Sequence, residues 1–130
     1  MKRVAAIMMI ITLFTGCSAL HVKKAKYFVG YSESGYATWY GKEFHGVVTA
    51  KKDEKFDMNA MTTAHRTIPF NTMLKVTNKQ NGKSIVVRVN DRGPSKEERI
   101  VDLSYAAFKK IADPEAGVIP VEIEIIKLEE

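Results

Sequence analysis

The sequence predicts a mainly β domain, a closed or nearly closed barrel carrying one or two short helices. Three observations predict it: several short strand-like runs, a hairpin signal between two of them, and a single helix-length stretch. Gly35-Tyr36-Ala37-Thr38-Trp39-Tyr40-Gly41 reads as an aromatic-rich strand bounded by glycines. Met73-Leu74-Lys75-Val76-Thr77 alternates apolar and polar side chains, as a half-buried strand does. Lys83-Ser84-Ile85-Val86-Val87 follows, and the Asn81-Gly82 pair before it joins the two runs as a hairpin. Arg92-Gly93-Pro94 stops that second strand, because Pro94 has no amide donor and Gly93 permits a sharp reversal. Ala107, Phe108 and Ile111 fall at helical spacing, so a short helix is expected near residues 104–112. Val118 to Ile126 forms the last strand, with Pro120 at its edge or entrance. Closure into a barrel removes otherwise exposed strand edges.

The segment NDRGPSKEERIVDLS, Asn90 to Ser104, concentrates the chemistry. It sets two carboxylates, Asp91 and Asp102, at the ends of a polar excursion, each beside an apolar run. A carboxylate at the end of a rigid strand, just before a loop, is a common place for a catalytic or binding acid. Structural roles fit the same residues. Asp91 before Arg92-Gly93 is ordinary turn chemistry, and Asp102 is a favoured type of helix N-cap.

The N-terminus speaks to compartment. Lys2 and Arg3 precede an uncharged run from Val4 to Phe14, then Thr15-Gly16-Cys17, the pattern of an export signal too short to span a bilayer. The cysteine after Phe-Thr-Gly resembles a bacterial lipobox, with Phe14 in the place usually held by Leu. Cys17 is the only cysteine, so no intrachain disulfide can form, and acylation at Cys17 would tether the chain to a membrane. Ser18 after it resembles the outer-membrane sorting pattern of Gram-negative lipoproteins. Residues 1–16 are expected to be a signal peptide, 17–34 a lipidated flexible tether, and 35–130 one barrel domain. Losing residues 1–16 lowers the formal charge from +5 to +3, mildly basic and suited to an anionic envelope polymer; nucleic acid is not an expected partner for an exported protein. His21, His45 and His65 show no metal-ligand spacing, so neither a metal nor another cofactor is expected.

A wider set of motifs occurs in order: ATWYG at 37–41, FHG at 44–46, TA at 49–50, EKFD at 54–57, MTTAHRTIPF at 61–70, VTN at 76–78, NGK at 81–83, VRVNDRGP at 87–94 and IVDLS at 100–104. This ordered set resembles the rare lipoprotein A (RlpA) family over roughly residues 35–128. The resemblance implies a six-stranded double-psi β barrel, related in fold to expansins, with one or two short helices. It implies endolytic transglycosylation of peptidoglycan, in which the β-1,4 bond after N-acetylmuramic acid breaks and a 1,6-anhydro end forms. Non-catalytic, expansin-like wall binding is the alternative, and cell-division proteins are partners by family analogy alone.

Onto this sequence the resemblance carries Asp91 as catalytic acid/base, Asp102 as its partner, Glu54 as an acid that binds or orients sugar, and His65 as a cleft-facing histidine. Trp39, Tyr40, Thr49, Arg66, Asn90 and Arg92 are the expected substrate-binding set. Trp39 and Tyr40 alternate on a strand, so one of them is expected to face the core. Before Glu54, Lys51-Lys52-Asp53 is one residue longer than the family pattern and lacks its customary glycine.

Overall fold

The structure, a computed structural model, describes residues 26–129. The expected signal peptide and Cys17 lie outside the described residues. Six strands form: β1 (Ser32–Tyr40), β2 (Thr62–Ala64), β3 (Met73–Asn78), β4 (Ser84–Asp91), β5 (Arg99–Ser104) and β6 (Ile119–Lys127). They close into a barrel in the order β1-β5-β2-β4-β3-β6. The β1/β5 and β2/β4 pairs are parallel and the remaining four antiparallel.

Alternation along the strands builds the core. Leu74 and Val76 of β3, Val87 and Val89 of β4, Val101 and Leu103 of β5, and Val121, Ile123 and Ile125 of β6 all point inward and are fully buried. Helix α1 (Tyr105–Ile111) packs on β1, β4 and β5 through Ala107, Phe108 and Ile111. Its N-cap is Ser104, whose Oγ accepts from the Ala107 amide at 3.2 Å. Asp102 therefore does not cap the helix; it lies inside β5. The β3–β4 hairpin closes through Gly82 at φ 74°, with the Gly82 amide donating to the Asn78 carbonyl at 2.8 Å. Pro120, second residue of β6, stands at the strand entrance as read from the sequence. The folded part also reaches back beyond residue 35: β1 begins at Ser32, and Tyr27 is buried in the core beside Thr67.

Two register irregularities matter more than any regular pairing. Along β2/β4, Thr63 faces Val89 but the next residue, Ala64, faces Asp91. One residue of β2 thus opposes two of β4, a β-bulge at Asn90-Asp91. Strict alternation would send Asp91 into the barrel with Val87 and Val89; the bulge turns it outward. A second shift, between Tyr36/Ala37 and Arg99/Val101, sets Asp102 across from Thr38.

Candidate active site

Ala64 is the geometric centre of the site. It pairs with Asp91 across β2/β4 and with Asp102 across β2/β5. Directly opposed residues share a face of the sheet, so both carboxylates project on the Ala64 side, on strands about 10 Å apart. Tyr40, Phe44, Ala64, Asp91, Arg92 and Asp102 line a cleft of about 170 Å³ there, open to solvent.

Each carboxylate has one oxygen committed and one facing the cleft. Asp91 Oδ1 accepts from the amides of Ala50 and Arg92, both at 2.9 Å. This differs from an Asx turn, in which the acceptor bond would run two residues on. Asp91 Oδ2 meets only the Tyr40 hydroxyl, at 3.5 Å, a long contact of the kind that tightens when substrate binds. Asp102 Oδ1 accepts from the Thr38 hydroxyl directly across β1/β5. Its Oδ2 lies over Gly93, where an added Cβ would stand 3.6 Å away and where φ is 128°, reached readily by glycine alone.

Tyr40 stacks face to face on Phe56 at 4.1 Å, and Phe44 meets it edge-on at 5.8 Å. Phe56 thus covers one face of the ring, and the hydroxyl reaches the Asp91 carboxylate. Burial, then the nearby Asp91 and Asp102 carboxylates, push that phenol far above its ordinary value, so it remains a hydrogen-bond donor. Arg92 donates from Nη1 to the carbonyls of His65 (3.1 Å) and Ile68 (2.6 Å) and lies over the Phe70 ring at 3.8 Å.

Several expected site residues are placed elsewhere. Trp39 points to the other side of β1: its indole donates to the Pro114 carbonyl at 2.9 Å and packs on Tyr105 and Phe108. His65 does not face the carboxylates. Its Nδ1 accepts from the amides of Thr67 (3.1 Å) and Ile68 (3.0 Å), and Nε2 bonds Glu33 at 3.3 Å. Both nitrogens are therefore spent holding the β2–β3 connection, in a ring 3% exposed. Arg66 laces a surface loop by donating to the carbonyls of Lys96, Glu97 and Arg99. Buried Thr49 accepts from the Lys51 amide at 3.3 Å and closes a turn.

Glu54 and Asn90 stand behind the cleft wall. Arg88 forks onto Glu54 at 2.5 and 2.9 Å, and Asn90 donates to it at 3.2 Å. The hydrogen bonds from Arg88 hold the Glu54 carboxyl below its ordinary range, despite partial burial. It is a fixed anion, which suits an acceptor or an anchor and not an acid. In the longer segment ahead of it, Lys52 takes φ 73°, a left-handed conformation. Sequence reasoning missed Thr38, Phe44, Ala64 and the Ala50 amide. The first three were visible as motif letters, but only strand register gives them a role. Among the described residues, no group of three or more His, Cys, Asp or Glu is placed to hold a metal.

A sequence profile described as lytic transglycolase matches residues 32–123. The chain belongs to that family. Its curated relatives include the endolytic peptidoglycan transglycosylase RlpA of Vibrio cholerae, 55% identical over 100 residues covering 77% of this chain and 38% of that protein. The Pseudomonas aeruginosa (strain UCBPP-PA14) protein of the same name is 49% identical over 94 residues, covering 72% and 27%. The chain thus spans about two fifths or less of the length of these lytic transglycolase relatives. Among solved structures, the Streptomyces papain inhibitor aligns with a TM-score of 0.61 at 25% identity, over 76% of this chain and 97% of that one. An expansin of Clavibacter michiganensis aligns equally well (0.61) at 24% identity, over 77% and 52%. The rare lipoprotein A family and the double-psi barrel read from the motifs both stand.

Proposed function

We propose that this barrel is an endolytic peptidoglycan lytic transglycosylase, cutting the β-1,4 bond between N-acetylmuramic acid and N-acetylglucosamine to leave a 1,6-anhydro end. One observation carries the reading: Asp91 and Asp102, eleven positions apart in the chain, flank Ala64 in a single open cleft that both carboxylates line. The relatives' names support it. In this reaction the sugar's own C6 hydroxyl attacks C1, so no activated water is needed. Asp91 Oδ2 takes the O6 proton and returns it to the departing O4 as the C1–O4 bond breaks and C1–O6 forms. Asp102 faces the positive charge that develops at C1 in the oxocarbenium-like transition state. Tyr40 steadies Asp91 Oδ2 through its hydroxyl.

Incubating the purified protein with sacculi, intact and stripped of stem peptides, tests the activity, with mass spectrometry of the released sugars. Anhydro-ended products are expected. Sacculus binding without release would make the barrel a wall-binding module instead. The Ala64 position offers a sharper check. Ala64→Leu adds bulk to the cleft floor between the two acids and is expected to cut release by about 100-fold or more. Its far-ultraviolet circular dichroism should match that of the unsubstituted protein; full activity would remove this cleft from the chemistry.

The same reading places the barrel at the cell envelope, tethered by acyl chains on Cys17 to a membrane, the outer one in a Gram-negative host. Labelled palmitate should enter the full-length chain expressed in bacteria and should be lost with Cys17→Ala. Labelling that survives this substitution would contradict the anchor. Division proteins as partners remain part of the proposal by family analogy.

A further inference from the structure

Residues 46–56 form a small hairpin against the cleft. The Gly46 amide donates to the Phe56 carbonyl and the Phe56 amide to the Val47 carbonyl, both at 2.8 Å, while Thr49 N–H meets the Glu54 carbonyl at 2.9 Å. Both oxygens of Asp91 depend on this hairpin. Ala50, at its tip, gives the amide that binds Oδ1. Phe56, at its base and 2% exposed, backs the Tyr40 ring whose hydroxyl reaches Oδ2. Glu54 adds a third tie between the hairpin and the barrel: β4 presents Arg88 and Asn90 outward, Glu54 accepts from both, and Arg88 is itself braced by Asn71 Oδ1 at 3.1 Å. Neither Glu54 nor Arg88 lines the cleft.

We propose that Glu54 is a positioning residue, which through Arg88 seats the 46–56 hairpin so that the Ala50 amide fixes the Asp91 carboxylate. An anchored carboxylate keeps its free oxygen in one orientation, and a displacement of about 1 Å at a reacting group is enough to cost roughly 100-fold in rate. The charged and titratable residues that share the cleft with Asp91 are Tyr40, Arg92 and Asp102, with Glu54 behind the wall.

The kinetic half of the test rests on the lytic reading; the spectroscopic half does not. In uniformly ¹⁵N-labelled protein the Ala50 amide proton should move as Asp91 titrates, and Asp91→Asn should abolish that movement. Glu54→Gln and Arg88→Gln should each reduce it by roughly half or more, since the amide no longer sits at hydrogen-bond distance. In the sacculus assay both variants should lose about 10–100-fold in kcat with KM within about threefold. The double variant should be no worse than either single one, as expected when two residues act as one unit. If Glu54→Gln does not fold, Arg88→Lys, which keeps the charge but lacks the fork, takes its place. An unchanged Ala50 titration in a Glu54→Gln protein that has lost turnover would overturn the proposal and put Glu54 on the substrate. Unchanged titration with unchanged turnover would overturn it as well. Should the protein release no sugars at all, the Ala50 titration still decides whether the hairpin is held by Glu54.

Discussion

Asp91→Asn is expected to lower release of anhydro-ended sugars by about 10²–10⁴-fold, the range lost with a positioned acid/base. Its melting temperature should stay within a few degrees of the parent, because asparagine keeps a carbonyl oxygen for the Ala50 and Arg92 amides. What disappears is only the ability of the cleft-facing atom to exchange a proton. Asp102→Asn should cost about 10²–10³-fold, the scale of one lost electrostatic contact to a charged transition state. The two effects should not simply add, since both residues act on one bond. Wild-type turnover by a folded Asp91→Asn protein would take Asp91 out of the mechanism.

His65 makes the second large prediction, and it concerns folding. Removing the ring with His65→Ala leaves the Thr67 and Ile68 amides without their acceptor in a buried site. At about 1–3 kcal/mol for each stranded donor, the loss should reach about 3 kcal/mol or more. His65→Asn returns an oxygen near the Nδ1 position and should recover most of that stability along with activity. The pH dependence follows from the same geometry. Burial lowers the His65 pKa from its ordinary 6.5, against the pull of Glu33, so the folded protein resists a proton that the unfolded chain accepts. The unfolded state therefore binds more protons as pH falls below about 6.5, and stability drops from there until the folded ring titrates too. Above that range His65 contributes no slope. Denaturant melts of the wild type and His65→Asn from about pH 4 to about pH 8 should show this acid slope only where the imidazole is present. A His65→Asn protein that folds stably yet releases nothing would return His65 to the chemistry.

The parts of the fold legible in the sequence are those whose side chains repeat a period for long enough. Leu74/Val76, Val121/Ile123/Ile125 and the Asn81-Gly82 turn announce β3, β6 and the hairpin, and Ala107/Phe108/Ile111 announce α1. β2 is only Thr62–Ala64, too short to carry any period, and β5 is hidden because Arg99 and Asp102 interrupt its apolar residues. The segment Asn90 to Ser104 singles out both carboxylates as candidates, but residue types cannot give the bulge at Asn90 that turns Asp91 out of the barrel. Side-chain direction is legible only in part: alternation on the strand implies that one of Trp39 and Tyr40 turns inward, but not which. Trp39 and Tyr40 share one motif, yet their alternation sends one to α1 and the other to the cleft. His65 and Arg66 sit in a motif whose demands are structural here: one ring and one guanidinium satisfy five backbone groups between them.

Everything proposed depends on a glycan strand crossing Ala64 with its scissile bond held between two acids. A crystal structure of Asp91→Asn bound to a tetrasaccharide containing N-acetylmuramic acid measures this directly. The glycosidic oxygen should lie about 3 Å from the residue-91 side chain, hydrogen-bond reach, with C1 facing the Asp102 carboxylate. A glycan seated on another face of the barrel, or crossing the cleft with neither side chain near the bond, would contradict it.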